Sequence, residues 1–231
     1  MTPRQSGGTR TEIVPSIHWV QGVNANCYVL VGEELTLIDT GMAKKPQKIQ
    51  AYITGELHRS LSDVKTIILT HAHSDHTGGA RDLRRMTGAK VAIHAGDADY
   101  LSGTKKMPIP KGVVGVLFKT LGPLVTAERV KPDIILNDGD IISGLKVIHI
   151  PGHTPGSIAL LDSARKVLFT GDTLRYRNGM VEGPVERFTP DMTMALKSVE
   201  KLKALEFDVM LCGHGTPLKG NAGEMVRKFE T

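Results

Sequence analysis

The chain has 231 residues, 40% of them hydrophobic and 23% charged, enough to bury one core and too ordinary in charge for disorder to be its resting state. Its formal charge of +5 and pI near 9.2 raise a nucleic-acid partner, but the basic residues (Lys44-Lys45, Arg84-Arg85, Lys105-Lys106, Arg175, Arg177 and Lys197 to Lys203) are scattered, and aromatics at 4% supply no stacking surface between them. No apolar stretch reaches the roughly 18 residues that a bilayer span requires, so the sequence is read as having neither a nucleic-acid nor a membrane partner.

Met1 to Arg10 has no apolar centre of a signal peptide and reads as a flexible lead, residues 1–10, to a single domain over residues 11–231. A cytoplasmic protein follows from this reading. Strands are expected over Ile13 to Val20, Cys27 to Val31 and Leu35 to Ile38. Ile49, Ile53 and Leu57, at steps of four, predict a helix from Pro46 to His58. Val64 to Leu69 is the next strand, then a helix over Gly78 to Thr87 closed by Gly88, then a strand over Val91 to His94. Beyond the Gly- and Pro-rich stretch Ser102 to Pro132 come Ile134 to Leu136, Gly139 to Ile142, Lys146 to Ile150, Ser157 to Asp162 and Lys166 to Phe169. Thr189-Pro190-Asp191 reads as an N-cap, a first-position proline and a first-turn acid. The helix it opens has Met192, Ala195, Val199 and Leu202 as an apolar stripe. Phe207 to Leu211 is the last strand and Glu224 to Glu230 a terminal helix. Cys27 and Cys212 both lie in apolar strand-like contexts and read as buried free thiols.

The chemistry sits where these strands end. Thr70-His71-Ala72-His73-Ser74-Asp75-His76-Thr77-Gly78-Gly79 places three imidazoles and a carboxylate within six residues, directly after a β-branched run. In extended backbone alternate side chains share a face, so His71 and His73 can reach one metal ion. Asp75 and His76, after the chain turns, can serve a second. Nitrogen and oxygen donors without thiolate suit zinc, with iron or manganese as alternatives. Three later runs also end in glycine plus one His or Asp: Pro151-Gly152-His153-Thr154-Pro155-Gly156, Gly171-Asp172-Thr173 and Gly213-His214-Gly215. Singly each would be turn chemistry; their recurrence is the signal.

With Leu37-Ile38-Asp39-Thr40-Gly41 ahead of them, these motifs resemble, in order, those of the metallo-β-lactamase-fold hydrolase superfamily, over most of the chain. The resemblance implies an α/β fold, a four-layer αββα sandwich of the metallo-β-lactamase type. Carried over by position, His71, His73 and His153 would bind a first metal. Asp75, His76 and His214 would bind a second, and Asp172 would bridge them. Asp39 would contact ligands rather than metals; an Asx turn before Gly41 is the other reading of it. Two divalent ions, two Zn2+ with Fe or Mn as alternatives, sharing a water would generate a bridging hydroxide without a separate strong base. Asp75 and Asp172 are the catalytic carboxylates of this scheme, Asp75 as a ligand more than as a free base.

The implied function is dinuclear hydrolysis of an ester, thioester or lactone of a small metabolite. The motif set looks most like the glyoxalase-II-like thioester hydrolases, although no sequence is seen here for their C-terminal helical glutathione-binding domain. Thr173 to Met180 also departs from their pattern. Alternatives are a mononuclear-iron persulfide dioxygenase of the same fold, held through His71, His153 and Asp172, a promiscuous lactamase or phosphoesterase, and a non-catalytic binding protein. Arg175, Tyr176 and Arg177 read as a solvated loop or as contacts to an anionic or carbonyl group, with Tyr176 a hydrogen-bond donor in the lactonase version. The apolar run Val113 to Phe118 within 102–132 reads as a wall of the substrate pocket or a homodimer contact.

Overall fold

Residues 11–43, 45–106 and 128–230 are described in this computed structural model. The N-terminal lead and the run Val113 to Phe118 lie outside the described residues. Two sheets form the centre. The first runs in spatial order β1 (Glu12–Val14), β2 (Ile17–Val20), β3 (Cys27–Val31), β4 (Leu35–Ile38), β5 (Val64–Ile68), β6 (Lys90–His94) and β7 (Ile134–Leu136). It is antiparallel as far as β4 and parallel from β4 to β7. The second contains β8 (Ile141–Ile142), β9 (Leu145–His149), β10 (Ile158–Asp162), β11 (Val167–Gly171), β14 (Val209–Cys212) and β15 (Leu218–Lys219), with β11 and β14 parallel to each other. A hairpin of β12 (Arg175–Arg177) and β13 (Met180–Glu182) stands apart.

The strands are apolar on both faces because each face is covered. Tyr28, Leu30, Ile38, Ile68 and Ala92 of the first sheet pack against Leu145, Val147, Ile158, Leu160, Phe169 and Leu211 of the second. The opposite face of the first sheet, with Val29, Leu37, Ile67 and Ile93, is covered by helices α1 (Pro46–Ala51), α3 (Ala80–Thr87) and α4 (Ala95–Ser102). The opposite face of the second, with Ile148, Ala159, Leu168 and Met210, is covered by α5 (Met192–Lys203) and α6 (Ala222–Lys228). Residue-by-residue alternation between two covered faces is what a near-continuous apolar strand encodes. The result is a four-layer αββα sandwich.

Several boundaries differ from those read in the sequence. The strand expected over Ile13 to Val20 is two strands, because Pro15 cannot donate to a ladder and Ser16 turns the chain at φ +67°. The helix expected to reach His58 is α-helical only to Ala51 and continues as a wider turn, Tyr52–Glu56, in which Leu57 N–H bonds to Tyr52 O five residues back. The helix expected from Gly78 begins at Ala80 as α3, and a separate turn, α2 (Ser74–Thr77), precedes Gly78-Gly79. The cap of α5 is Asp191, whose carboxylate accepts from Met194 N–H. Thr189 lies outside the helix. Cys27 and Cys212 are buried and unpaired. Among the described residues no helix is long and apolar enough to cross a membrane.

Candidate metal centre

Because β4, β5 and β6 are parallel, their carboxyl ends lie side by side, the edge at which open parallel sheets present binding residues. Asp39 follows β4, His71 to His76 follow β5, and Asp97 follows β6. In the second sheet Asp172 follows β11 and His214 follows β14, its parallel neighbour, while His153 lies in the turn from β9 to β10. Two backbone bonds join the sheets here: Ile158 N–H to Thr70 O (2.9 Å) and Asn26 N–H to Gly213 O (2.7 Å). Gly213 lets the β14 end close onto the site, since a Cβ there would lie 2.3 Å from Asp172 Oδ1 and 2.7 Å from His76 Cε1.

All seven side chains singled out in the sequence converge. His71, His73 and His153 form one group of potential donor atoms, His71, His76 and Asp172 another, and Asp75, His76 and His214 a third, the atoms within each lying within 4.8 Å of one another. His71 Nε2 is 3.1 Å from His73 Nδ1. His214 Nε2 is 3.1 Å from Asp75 Oδ2. Asp172 spans the groups, with Oδ1 3.2 Å from His76 Nε2 and Oδ2 3.5 Å from both His153 Nε2 and His214 Nε2. Yet His153 Nε2 is buried without a hydrogen-bond partner, and His76 Nε2 and Asp172 Oδ1, also buried, have only each other, at 3.2 Å and without good hydrogen-bond geometry. Buried polar atoms are ordinarily well paired, so donors this crowded and this poorly satisfied form a cradle for a cation.

The electrostatics are those of a ligand set. Burial holds His71 well below the ordinary imidazole range and His153 down to about 3, so both are neutral and carry a free lone pair. Burial would push Asp75 up, but His76 and the bond from His214 outweigh it and bring the carboxyl to about 2. Asp172 is likewise ionised: burial opposes this, and His76 beside it prevails. Against burial, the carboxylates of Asp172, Asp39 and Asp75 raise His76 well above the usual range. Cys212, two residues from His214, is pushed up to about 11 by burial and offers no thiolate.

A shell of polar residues fixes the imidazoles. Asp39 adopts φ +60° and accepts from Thr70 N–H (2.8 Å), Thr70 Oγ1 (2.8 Å) and His76 Nδ1 (2.8 Å), so it touches one of the candidate metal-binding imidazoles. Since the Thr70 hydroxyl donates to Asp39, its oxygen accepts from His71 Nδ1 (3.1 Å) and turns Nε2 to the site. Thr189 Oγ1 lies 3.3 Å from His153 Nδ1. Asn26 donates to Cys212 O (2.8 Å) and Gly215 O (3.0 Å), and Tyr28 OH to Cys212 O (2.7 Å), bracing the His214 loop from the other sheet. Thr70, Thr189, Asn26 and Tyr28 were not picked out as functional in the sequence. Tyr176 packs with the α5–α6 cluster and Arg175 pairs with Glu182 at 3.1 Å, so the segment read as a solvated loop is a paired hairpin.

A family model described as the metallo-beta-lactamase superfamily matches residues 20–214. The chain belongs to the metallo-beta-lactamase superfamily. It is a metal-dependent hydrolase by that membership, and the site above lies at the motifs on which the resemblance rested. The probable metallo-hydrolase YflN of Bacillus subtilis is 29% identical over 92% of this chain and 89% of its own length. The acyl-coenzyme A thioesterase MBLAC2 of Homo sapiens is 29% identical over 86% of this chain and 77% of its own. The hydroxyacylglutathione hydrolase of Cereibacter sphaeroides is 35% identical, but over 64% of this chain and 47% of its own. The solved structure of TTHA1623 in a di-iron-bound form superimposes with a TM-score of 0.71 at 24% identity, over 92% of this chain and 96% of that one, a likeness of fold.

Proposed function

We propose that the seven converging side chains hold two divalent metal ions, zinc foremost with iron or manganese as alternatives, and that the protein hydrolyses an acyl thioester, ester or lactone of a small metabolite. The observation that carries the metal reading is the crowding of buried, poorly satisfied donors: three groups of three whose atoms lie within 4.8 Å of one another, with His153 Nε2 unpartnered. His71, His73 and His153 would hold one ion; Asp75, His76 and His214 the other; Asp172, within 3.5 Å of members of both groups, would bridge. When bound, such a pair supplies a water of lowered pKa and polarises a substrate oxygen.

The protein's own residues set the stage for that chemistry. Asp39 accepts the hydrogen bond from His76 Nδ1–H and so commits Nε2 to the site. Thr70 does the same for His71. Asp75 and Asp172, both ionised, offset the cationic charge. A thioester is favoured among the substrates because the names of two relatives, acyl-coenzyme A thioesterase and hydroxyacylglutathione hydrolase, share that bond.

Elemental analysis of the purified protein, followed by acyl thioester, ester, lactone, phosphodiester and lactam substrates, tests the reading. We expect two ions per chain, thioesterase activity, and loss of both metal content and activity in His73→Ala. Full metal and activity in that variant would refute the ligand assignment. One iron per chain with no hydrolysis would overturn the dinuclear hydrolase.

A further inference from the structure

Asp97, at the start of α4 and fully buried, is absent from the ligand set but bonded to both loops that carry one half of it. Its Oδ2 accepts from Ala72 N–H (2.8 Å), the residue between His71 and His73, and from Thr154 Oγ1 (2.7 Å), the residue after His153. Its Oδ1 accepts from Gly156 N–H (2.7 Å). Ser157 Oγ completes the array, 2.8 Å from Thr154 Oγ1 and accepting from Thr154 N–H (3.0 Å). The backbones are in contact as well. A Cβ on Gly96 would lie 2.7 Å from Pro155 O, and one on Gly156 would lie 2.4 Å from Asp97 N.

A carboxylate is costly to bury unless fully bonded, and bonds to an ionised acceptor are the strong ones. Here the donors come from two separate segments, one from the first sheet and one from the second. Each donor sits within three residues of His71, His73 or His153. Asp97 makes no hydrogen bond to the residues around His76 or His214.

We propose that Asp97 is a positioning residue for one half of the centre: it ties the His71–His73 segment to the His153 turn and so sets the spacing of those three imidazoles. The inference rests on the proposal that the three form one metal site. Removing the carboxylate leaves the two segments without their shared acceptor and lets the triad spread, while the Asp75–His76–His214 group keeps its own supports.

The test is stepwise Zn2+ uptake by the metal-free protein against a chromogenic chelator, with imidazole NMR signals of the zinc-loaded protein. Asp97→Asn keeps the shape but turns an amide towards donors. It is expected to weaken one of the two uptake steps by about 10–100-fold and leave the other within about twofold. The signals of His71, His73 and His153 should shift while those of His76 and His214 stay. Thr154→Val removes a single donor and should weaken the same step by a smaller factor, which serves if the Asp97 variants do not fold. Two unchanged uptake steps in a folded variant, or equal disturbance of all five histidines, would overturn the positioning role while leaving the metal reading intact. A wild-type chain that takes up neither zinc, iron nor manganese overturns the metal reading and this inference with it.

Discussion

Asp172 touches a member of each half of the ligand set, through a different oxygen to His76 than to His153 and His214. If it bridges, Asp172→Ala should lower kcat and kcat/KM together, on the order of 100-fold or more, because the interaction lost belongs to the reacting complex and not to substrate binding. Steady-state kinetics decide: a rise in KM alone would make Asp172 a substrate contact. His76 gives a second prediction. The carboxylates of Asp172, Asp39 and Asp75 overcome its burial and raise it well above the usual range, so at neutral pH the metal-free protein holds a proton there that a metal ion must expel. Metal uptake should therefore release about one proton per chain from this group. Affinity should rise with pH until His76 has itself titrated in the metal-free protein, and flatten above. Calorimetry in buffers of different ionisation enthalpy measures this, and no proton release at neutral pH would remove His76 from the ligands. The seven converging side chains were legible because imidazoles and carboxylates crowd at the ends of β-branched runs. Asp97, Asn26 and Thr70 were not, because their roles depend on which strands lie side by side, and no local spacing carries that information.

The start of α5 separates a stability role from a site role two residues apart. Asp191→Ala removes the carboxylate that accepts from Met194 N–H and should cost about 1 kcal/mol, as N-cap losses do. Metal content should be unchanged. Thr189→Val removes the hydroxyl beside His153 Nδ1 and should weaken metal binding with little change in the stability of the metal-free protein. Denaturant melts paired with metal analysis compare the two, and the opposite pattern would restore Thr189 as the cap. The sequence placed the cap at Thr189 because a proline next to it fits the first helical position, whereas the helix opens one residue after Asp191. The central strands were plain because both of their faces are apolar. The β12–β13 hairpin was missed although Asn178-Gly179, with φ of +50° and +80°, is the pair that a two-residue hairpin turn demands. Helix α4 was missed because it buries little beyond Leu101 and Asp97, so its apolar stripe is too thin to read.

Three apolar layers hold the molecule together, and the middle one, between the sheets, runs directly beneath the ligand loops. An ion bound across those loops stabilises the folded chain by mass action, about 2.7 kcal/mol when free metal is 100 times Kd. For a chain of this length that corresponds to roughly 5–10 °C in Tm. Scanning calorimetry with and without a chelator should show a loss of that order per ion, restored by zinc. An unchanged Tm in a protein shown to have lost its metal would mean that the loops keep their arrangement unaided. The layer order itself was anticipated through the resemblance; the pairing of β4 with β5 and of β11 with β14, which brings the ends together, came only from the structure.

Neither sheet owns a complete set of donors. The first contributes His71, His73, Asp75 and His76; the second contributes His153, Asp172 and His214. An ion seated in either group is therefore a rivet through both plates, and it cannot leave by the swing of one side chain. Its escape should quicken when the plates slide apart, a motion that the bonds of Ile158 to Thr70 and of Asn26 to Gly213 oppose. If the site holds metal as proposed, the metal's residence is coupled to the coherence of the two halves, and a substitution that loosens the seam should shorten that residence even when it lies away from the ligands.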